Sequence, residues 1–166
     1  SLFVISAPLK YTSDYTGDAV PSVFEDEFVQ LVADYVEGGG TVIVCGLADY
    51  QDANSGSPHT TYEQANKLLE AIGSTMRVND DELIDQDENG GQPYRLYFND
   101  FNTQSTDPAV QQVLEGVVES GLAYSSYSGC SISVGEGEAI VYGHDTTYSI
   151  NSKAPTQGHD KPVLSY

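Results

Sequence analysis

The chain has 166 residues, enough for one domain that buries roughly two-thirds of its unfolded surface. Twenty-five acidic residues against six basic ones give a net charge of −19, which repels phosphates and argues against a direct grip on DNA or RNA. No apolar run approaches the roughly 18 residues of a membrane span, and the acids are interspersed with apolar periodicity, unlike those of a disordered acidic tail.

The first element is LFVIS, Leu2 to Ser6, a short β-rich apolar run of the kind buried on both faces of a parallel sheet. A polar loop runs from Lys10 to Pro21. Ser22 and Glu25 then carry the S-x-x-E spacing of a capping box. Phe24, Phe28, Leu31, Val32, Tyr35 and Val36 follow at helical spacing. Gly38, Gly39 and Gly40 end that helix, because glycine takes a left-handed cap without steric cost. TVIVC, Thr41 to Cys45, predicts a second buried strand. Strand, helix and strand together form a β-α-β unit, which implies a right-handed crossover and a parallel sheet. Thr61 with Gln64 marks the next cap. Tyr62, Ala65, Leu69 and Ile72 face inward from the following helix, which ends at Gly73, and Thr75 to Val78 predicts a third strand.

Beyond Val78 the pattern changes. Residues 79–92 are acidic and contain glycine, and Tyr94 to Phe98 alternates apolar with polar as an extended edge would. Asp107-Pro108 is a helix start with proline in the first helical position, followed by an apolar stripe of Val110, Val113, Leu114, Val117 and Val118. After Gly121 the chain is β-rich, with strands expected at Leu122 to Tyr124, Ser131 to Val134, Ala139 to Tyr142 and Pro162 to Leu164. The glycines of VGEGEA, Gly135 and Gly137, suit a hairpin turn better than a phosphate cradle, since no helix follows them.

Three sets of residues are candidates for chemistry. In an open parallel sheet, ligands bind beyond the carboxyl ends of the strands. That places Ser6 and Lys10 after the first strand, and Asp49, Tyr50 and Asp52 after the second, in position for a ligand site. The competing reading is that the loop carboxylates cap nearby backbone amides. The second set is Asp85, Asp87 and Asn89, at alternate positions before Gly90, which is the first half of a calcium loop. The twelfth position, where a bidentate acid belongs, is Leu96. A calcium site, helped through space by Asp80, Asp81 or Glu82, therefore stands beside an acidic turn with no bound ion. The third set is Cys45 with His144 and Asp145. A catalytic thiol on a strand-to-helix elbow needs glycines two residues to either side, but Ile43 and Leu47 occupy those places, so Cys45 reads as a small core residue. Cys45 and Cys130 form one bridge or remain two thiols. His59, His144 and His159 show no metal-ligand spacing.

Four segments in order, LFVISAPL, FVQLVADYVEGGGTVIVCGLADYQD, ANKLLEAIGSTMRVNDDELID and NGGQPYRLYFNDFN, resemble the class I glutamine-amidotransferase-like domains of large secreted bacterial and archaeal proteins. The resemblance covers most of residues 2–145. It implies a flavodoxin-like three-layer α/β sandwich with a mainly parallel sheet, to which the residues add a β-rich C-terminal part. It also implies a single domain over 1–166 that is a fragment lacking a first strand and helix. The family's cysteine elbow and His-Glu pair are not matched here.

From residues and resemblance together, the expected function is that of a non-catalytic accessory or interaction domain of a secreted multidomain protein, at the cell surface or outside the cell. Its partners would be other domains of the same polypeptide or surface proteins, with no nucleic acid, no membrane span and no cofactor other than calcium. Two alternatives remain. One is a hydrolase using Asp49, Asp52 and His144. The other is a structural surface or fibre component that self-associates through sheet edges.

Overall fold

A computed structural model describes residues 1–8, 11–13, 19–21, 23–48, 61–150 and 162–165. β1 (Leu2–Ile5) is followed by an antiparallel pair, β2 (Tyr11–Ser13) with β3 (Ala19–Pro21), and then by α1 (Asp26–Glu37) and β4 (Thr41–Val44). β1 and β4 pair in parallel, from Leu2 beside Thr41 to Ile5 beside Val44. The β-α-β unit expected from the sequence is therefore present. Its core joins Ile5, Val29 and Val32 to Leu68, with Phe24, Phe28, Val42 and Val44 packed around them. Phe3 meets the rings of Phe28 and Tyr35 edge-on, with centroids 6.4 and 6.2 Å away. Fully burying Val32 contributes about 1.5–3 kcal/mol before conformational entropy is counted. The helix stops where expected: Gly39 has φ +87°, and the amides of Gly38, Gly39 and Gly40 close onto the carbonyls of Asp34, Val36 and Tyr35.

The start of α1 differs from the capping-box expectation. Its N-cap is Glu25, which makes no side-chain cap, and Ser22 lies outside the described residues. α2 (Thr61–Ala71) anchors this end instead. Gln64 Oε1 accepts from the Phe24 amide at 2.7 Å, and Lys67 Nζ donates to the Phe24 carbonyl at 2.9 Å and to Asp26 Oδ1 at 2.6 Å. Gln64, expected to close a cap on its own helix, thus ties two helices together. The Lys67 ammonium, by hydrogen bond and then by charge, holds the Asp26 carboxyl below the ordinary range.

The remaining strands overturn the expected three-layer parallel sandwich. β5 (Arg77–Val78), β6 (Glu82–Ile84), β7 (Arg95–Phe98) and β8 (Asp100–Phe101) precede α3 (Pro108–Leu114). β9 (Tyr124–Tyr127), β10 (Ile132–Ser133), β11 (Ala139–Tyr142), β12 (Tyr148–Ile150) and β13 (Pro162–Ser165) follow it. Every one of their pairings is antiparallel: β5 with β10, β6 with β12, β7 with β9, and β11 between β8 and β13. Among the described strands only β1 and β4 run parallel, so the sheet is not flavodoxin- or amidotransferase-like. A parallel partner requires a crossover of roughly a dozen residues or more, usually a helix. Here the partners are just as distant in the chain, with other strands or α3 between most of them, yet each pair meets in the opposite sense. The third expected strand shrinks to Arg77–Val78 and turns away from β4 to pair with β10. The VGEGEA turn is real, with Gly137 N on Val134 O and Gly135 at φ +63°. It links strands of two different sheets rather than the arms of one hairpin.

α3 begins as expected. Asp107 Oδ1 accepts from the amides of Ala109 and Val110, with Pro108 in the first position. Val110 and Leu114 enter the second core, with Leu83, Leu96, Phe98, Ile140, Val141 and Val163. A third cluster, Ala65, Leu69, Val78 and Cys130, lies beneath α2. No helix among the described residues is long and apolar enough to cross a membrane.

Candidate functional site

Cys45 continues the β1–β4 ladder, its amide donating to Ile5 O at 2.9 Å. It is half-buried and unbridged, as Cys130 is unbridged in the core. Among the described non-glycine residues only Ser128 has positive φ (48°), so Cys45 does not stand on a left-handed elbow. Gly46 meets a packing need. A Cβ there would lie 2.8 Å from Cys130 Sγ and 2.9 Å from Val78 Cγ1. Burial, followed by the charge of the two neighbouring thiols, raises the Tyr124 phenol above its usual range. His144 is engaged elsewhere. Its Nε2 bonds the Tyr97 carbonyl at 2.9 Å, its Nδ1 stands 3.5 Å from Glu88 Oε2, and its ring lies against Phe98.

Of the residues expected after the first two strands, Ser6 is exposed, while Lys10, Asp49, Tyr50 and Asp52 lie outside the described residues. Ala48, the last described residue before the last three, donates its amide to the Ser128 carbonyl at 3.0 Å.

Asp85, Asp87 and Asn89 do share one turn, but their oxygens do not converge. Asp85 is fully buried. Its Oδ1 accepts from the amides of Asp87 (2.9 Å) and Glu88 (2.8 Å), and its Oδ2 from the hydroxyls of Thr146 (2.7 Å) and Thr147 (3.0 Å). Burial pushes the Asp85 carboxyl up, but the bonds from Glu88, Thr146, Asp87 and Thr147 together outweigh it and hold the group below its ordinary range. Asn89 donates to Asp85 O and accepts from the Gly91 amide. Asp87 and Glu88 point to solvent. Among the described residues no three His, Cys, Asp or Glu side chains gather as metal ligands would.

Two neighbouring acids are buried as well. Asp81 Oδ1 accepts from the Ser131 amide at 2.8 Å, and its Oδ2 accepts from the hydroxyls of Ser131 and Ser149, each at 2.6 Å. It thereby clamps β6, β10 and β12. Glu82 has an opposite character: at 1% exposure, neither carboxylate oxygen has a hydrogen-bond partner among the described residues. Sequence reasoning offered both only as helpers of a calcium loop. Their burial is invisible in an acidic run, where each residue looks solvated.

An accessible apolar feature lies around α3. A trough of about 220 Å³ is lined by Phe101, Val113, Leu114, Val117, Leu122 and Tyr124, among others. Val113, Val118 and Leu122 remain 48%, 45% and 63% exposed. Leu114 is shared with a wider concavity of about 880 Å³, where Asn102, Gln111, Gln112, Glu115 and Glu119 supply amides and carboxylates.

Neither the family models, nor the curated proteins, nor the solved structures contain a match to this chain.

The trough was half legible. The sequence marked Val113, Val117 and Val118 as one apolar stripe. The helix ends at Leu114, however, so the stripe is shared between a short helix and the turns after it. That leaves its outer members uncovered.

Proposed function

We propose that the chain is a non-catalytic interaction domain, an accessory module of a secreted multidomain protein, and that it binds through the trough beside α3. The observation that carries this reading is the exposure of Val113 and Leu122, which line an open apolar trough, with Val118 exposed in the adjoining concavity. Apolar patches of this kind, rimmed by polar groups, mark protein interaction sites. Supporting it, Asp81 and Asp85 give their oxygens to hydroxyls and amides of their own fold, and His144 is bound to a backbone carbonyl. These groups hold structure together and are not directed at a substrate. The acidic, tyrosine-rich composition suits an exported protein.

The reading is tested by panning a random-peptide display library against the wild type and against a Val113→Ser/Leu122→Ser double variant. Both side chains are about half exposed or more, so the variant keeps the core. Sequences enriched on the wild type alone support the trough. Equal enrichment on both proteins, or none on either, counts against it.

A second reading, self-association through a sheet, rests on a separate observation. Leu2, Val4 and Ile43 are 59%, 55% and 44% exposed, and Val4 lies beside Ile43 in register, so one face of the parallel pair is open. Parallel sheets are usually covered on both faces. Sedimentation equilibrium over a wide concentration range tests it, and a strict monomer would eliminate it.

A further inference from the structure

We propose that the occupant of the α3 trough is a polypeptide segment that places an aliphatic or aromatic anchor beside lysine or arginine side chains. The inference rests on the interaction-domain reading and adds the chemistry of the partner. The apolar half accepts the anchor: Leu114, Val117, Leu122 and Tyr124 line it, and no charged side chain among the described residues does. The adjoining concavity supplies the rest. Glu115 and Glu119 stand at its rim, while Gln111, Gln112 and Asn102 offer amides to a passing backbone. None of the described residues lining either concavity is basic.

Charge selects among occupants. In a chain of net charge −19, a like-charged segment is repelled at the rim. A second copy seated on the same face about a two-fold axis would bring together two surfaces that each carry Glu115 and Glu119 and no basic residue among the described ones, so like charges would meet without a counter-charge. Shape selects a segment over a small ligand. Small molecules favour clefts that bury most of their surface, whereas an open trough that shares Leu114 with a wider concavity bearing amides and carboxylates suits a side chain that drops in from an extended or helical backbone.

The test uses synthetic peptides with one fixed apolar core, Leu-Ile-Phe, flanked either by lysines or by glutamates. Each is titrated into the full chain by fluorescence anisotropy at low and high salt. The lysine peptide is expected to bind and to weaken by about tenfold or more at high salt, since exposed pairs are screened. Glu115→Gln/Glu119→Gln should weaken it several-fold, and Val113→Ser/Leu122→Ser should abolish binding. Leu31→Ser, on an exposed face of α1, should change nothing. Thermal melts of each variant confirm folding. If both peptides bind equally, the charge inference fails and the interaction reading stands. If neither binds and the chain is monomeric, both fail. If the chain dimerises and Leu122→Ser disrupts the dimer, the occupant is a second copy and the inference is overturned.

Discussion

Asp85→Ala is the perturbation that best separates a structural carboxylate from an ion ligand. The native side chain accepts four hydrogen bonds from a fully buried position. The amides of Asp87 and Glu88 belong to exposed residues, so water can replace the carboxylate there at a modest cost, about 0.5–1.5 kcal/mol each. Thr147 is fully buried and its hydroxyl would be left without this acceptor, at about 1–3 kcal/mol. Adding the half-buried Thr146 hydroxyl brings the expected loss to roughly 3–5 kcal/mol, a fall in Tm of about 6–20 °C for a chain of this size. Asp85→Asn keeps one acceptor and the side-chain shape, so it should lose about 1–2 kcal/mol. The pH dependence follows from the lowered carboxyl. A group whose folded pKa is depressed stabilises above its unfolded value, about 3.9, and loses that contribution as pH falls through the folded value. The gap between wild type and Asp85→Asn should therefore be full at neutral pH and narrow progressively below about pH 4. Urea unfolding at neutral and acidic pH, with and without millimolar calcium, provides the measurement. A neutral-pH change in Asp85→Ala below about 0.5 kcal/mol would refute the structural assignment. So would a calcium-induced stabilisation of the wild type that the variant lacks.

Asp81→Ala should cost about 3–5 kcal/mol, because it strands the amide and hydroxyl of Ser131 and the hydroxyl of Ser149 in the interior. Single Ser131→Ala and Ser149→Ala changes, nearer 1 kcal/mol each, calibrate that figure by urea titration. Glu82→Met should have the opposite sign, raising stability by at least about 1 kcal/mol, since it removes a buried carboxylate that lacks partners among the described residues. A destabilised Glu82→Met would show that the carboxylate serves a group the described structure does not contain. Asp107→Ala removes the α3 cap and should cost about 1 kcal/mol. Faster hydrogen exchange at the Ala109 and Val110 amides is the local readout, and unchanged rates would argue against a working cap.

Local signals in the sequence determined several of the local elements. LFVIS and TVIVC became paired parallel strands, with one face exposed where burial on both was expected, the triple glycine ended α1, and Asp107-Pro108 opened α3. Each of these depends on neighbours in the chain: backbone dihedral freedom, caps and side-chain period. The tertiary structure alone decided where the strands after α2 would find partners, because an apolar run of two to four residues carries no mark of which distant run it will meet or in which direction. The same limit governed the acids. Asp81, Glu82 and Asp85 are identical in kind to the exposed Asp87 and Glu88. Hydroxyls some fifty to seventy residues further along, at Ser131, Thr146, Thr147 and Ser149, drew Asp81 and Asp85 inward, and folding alone brings those groups within reach.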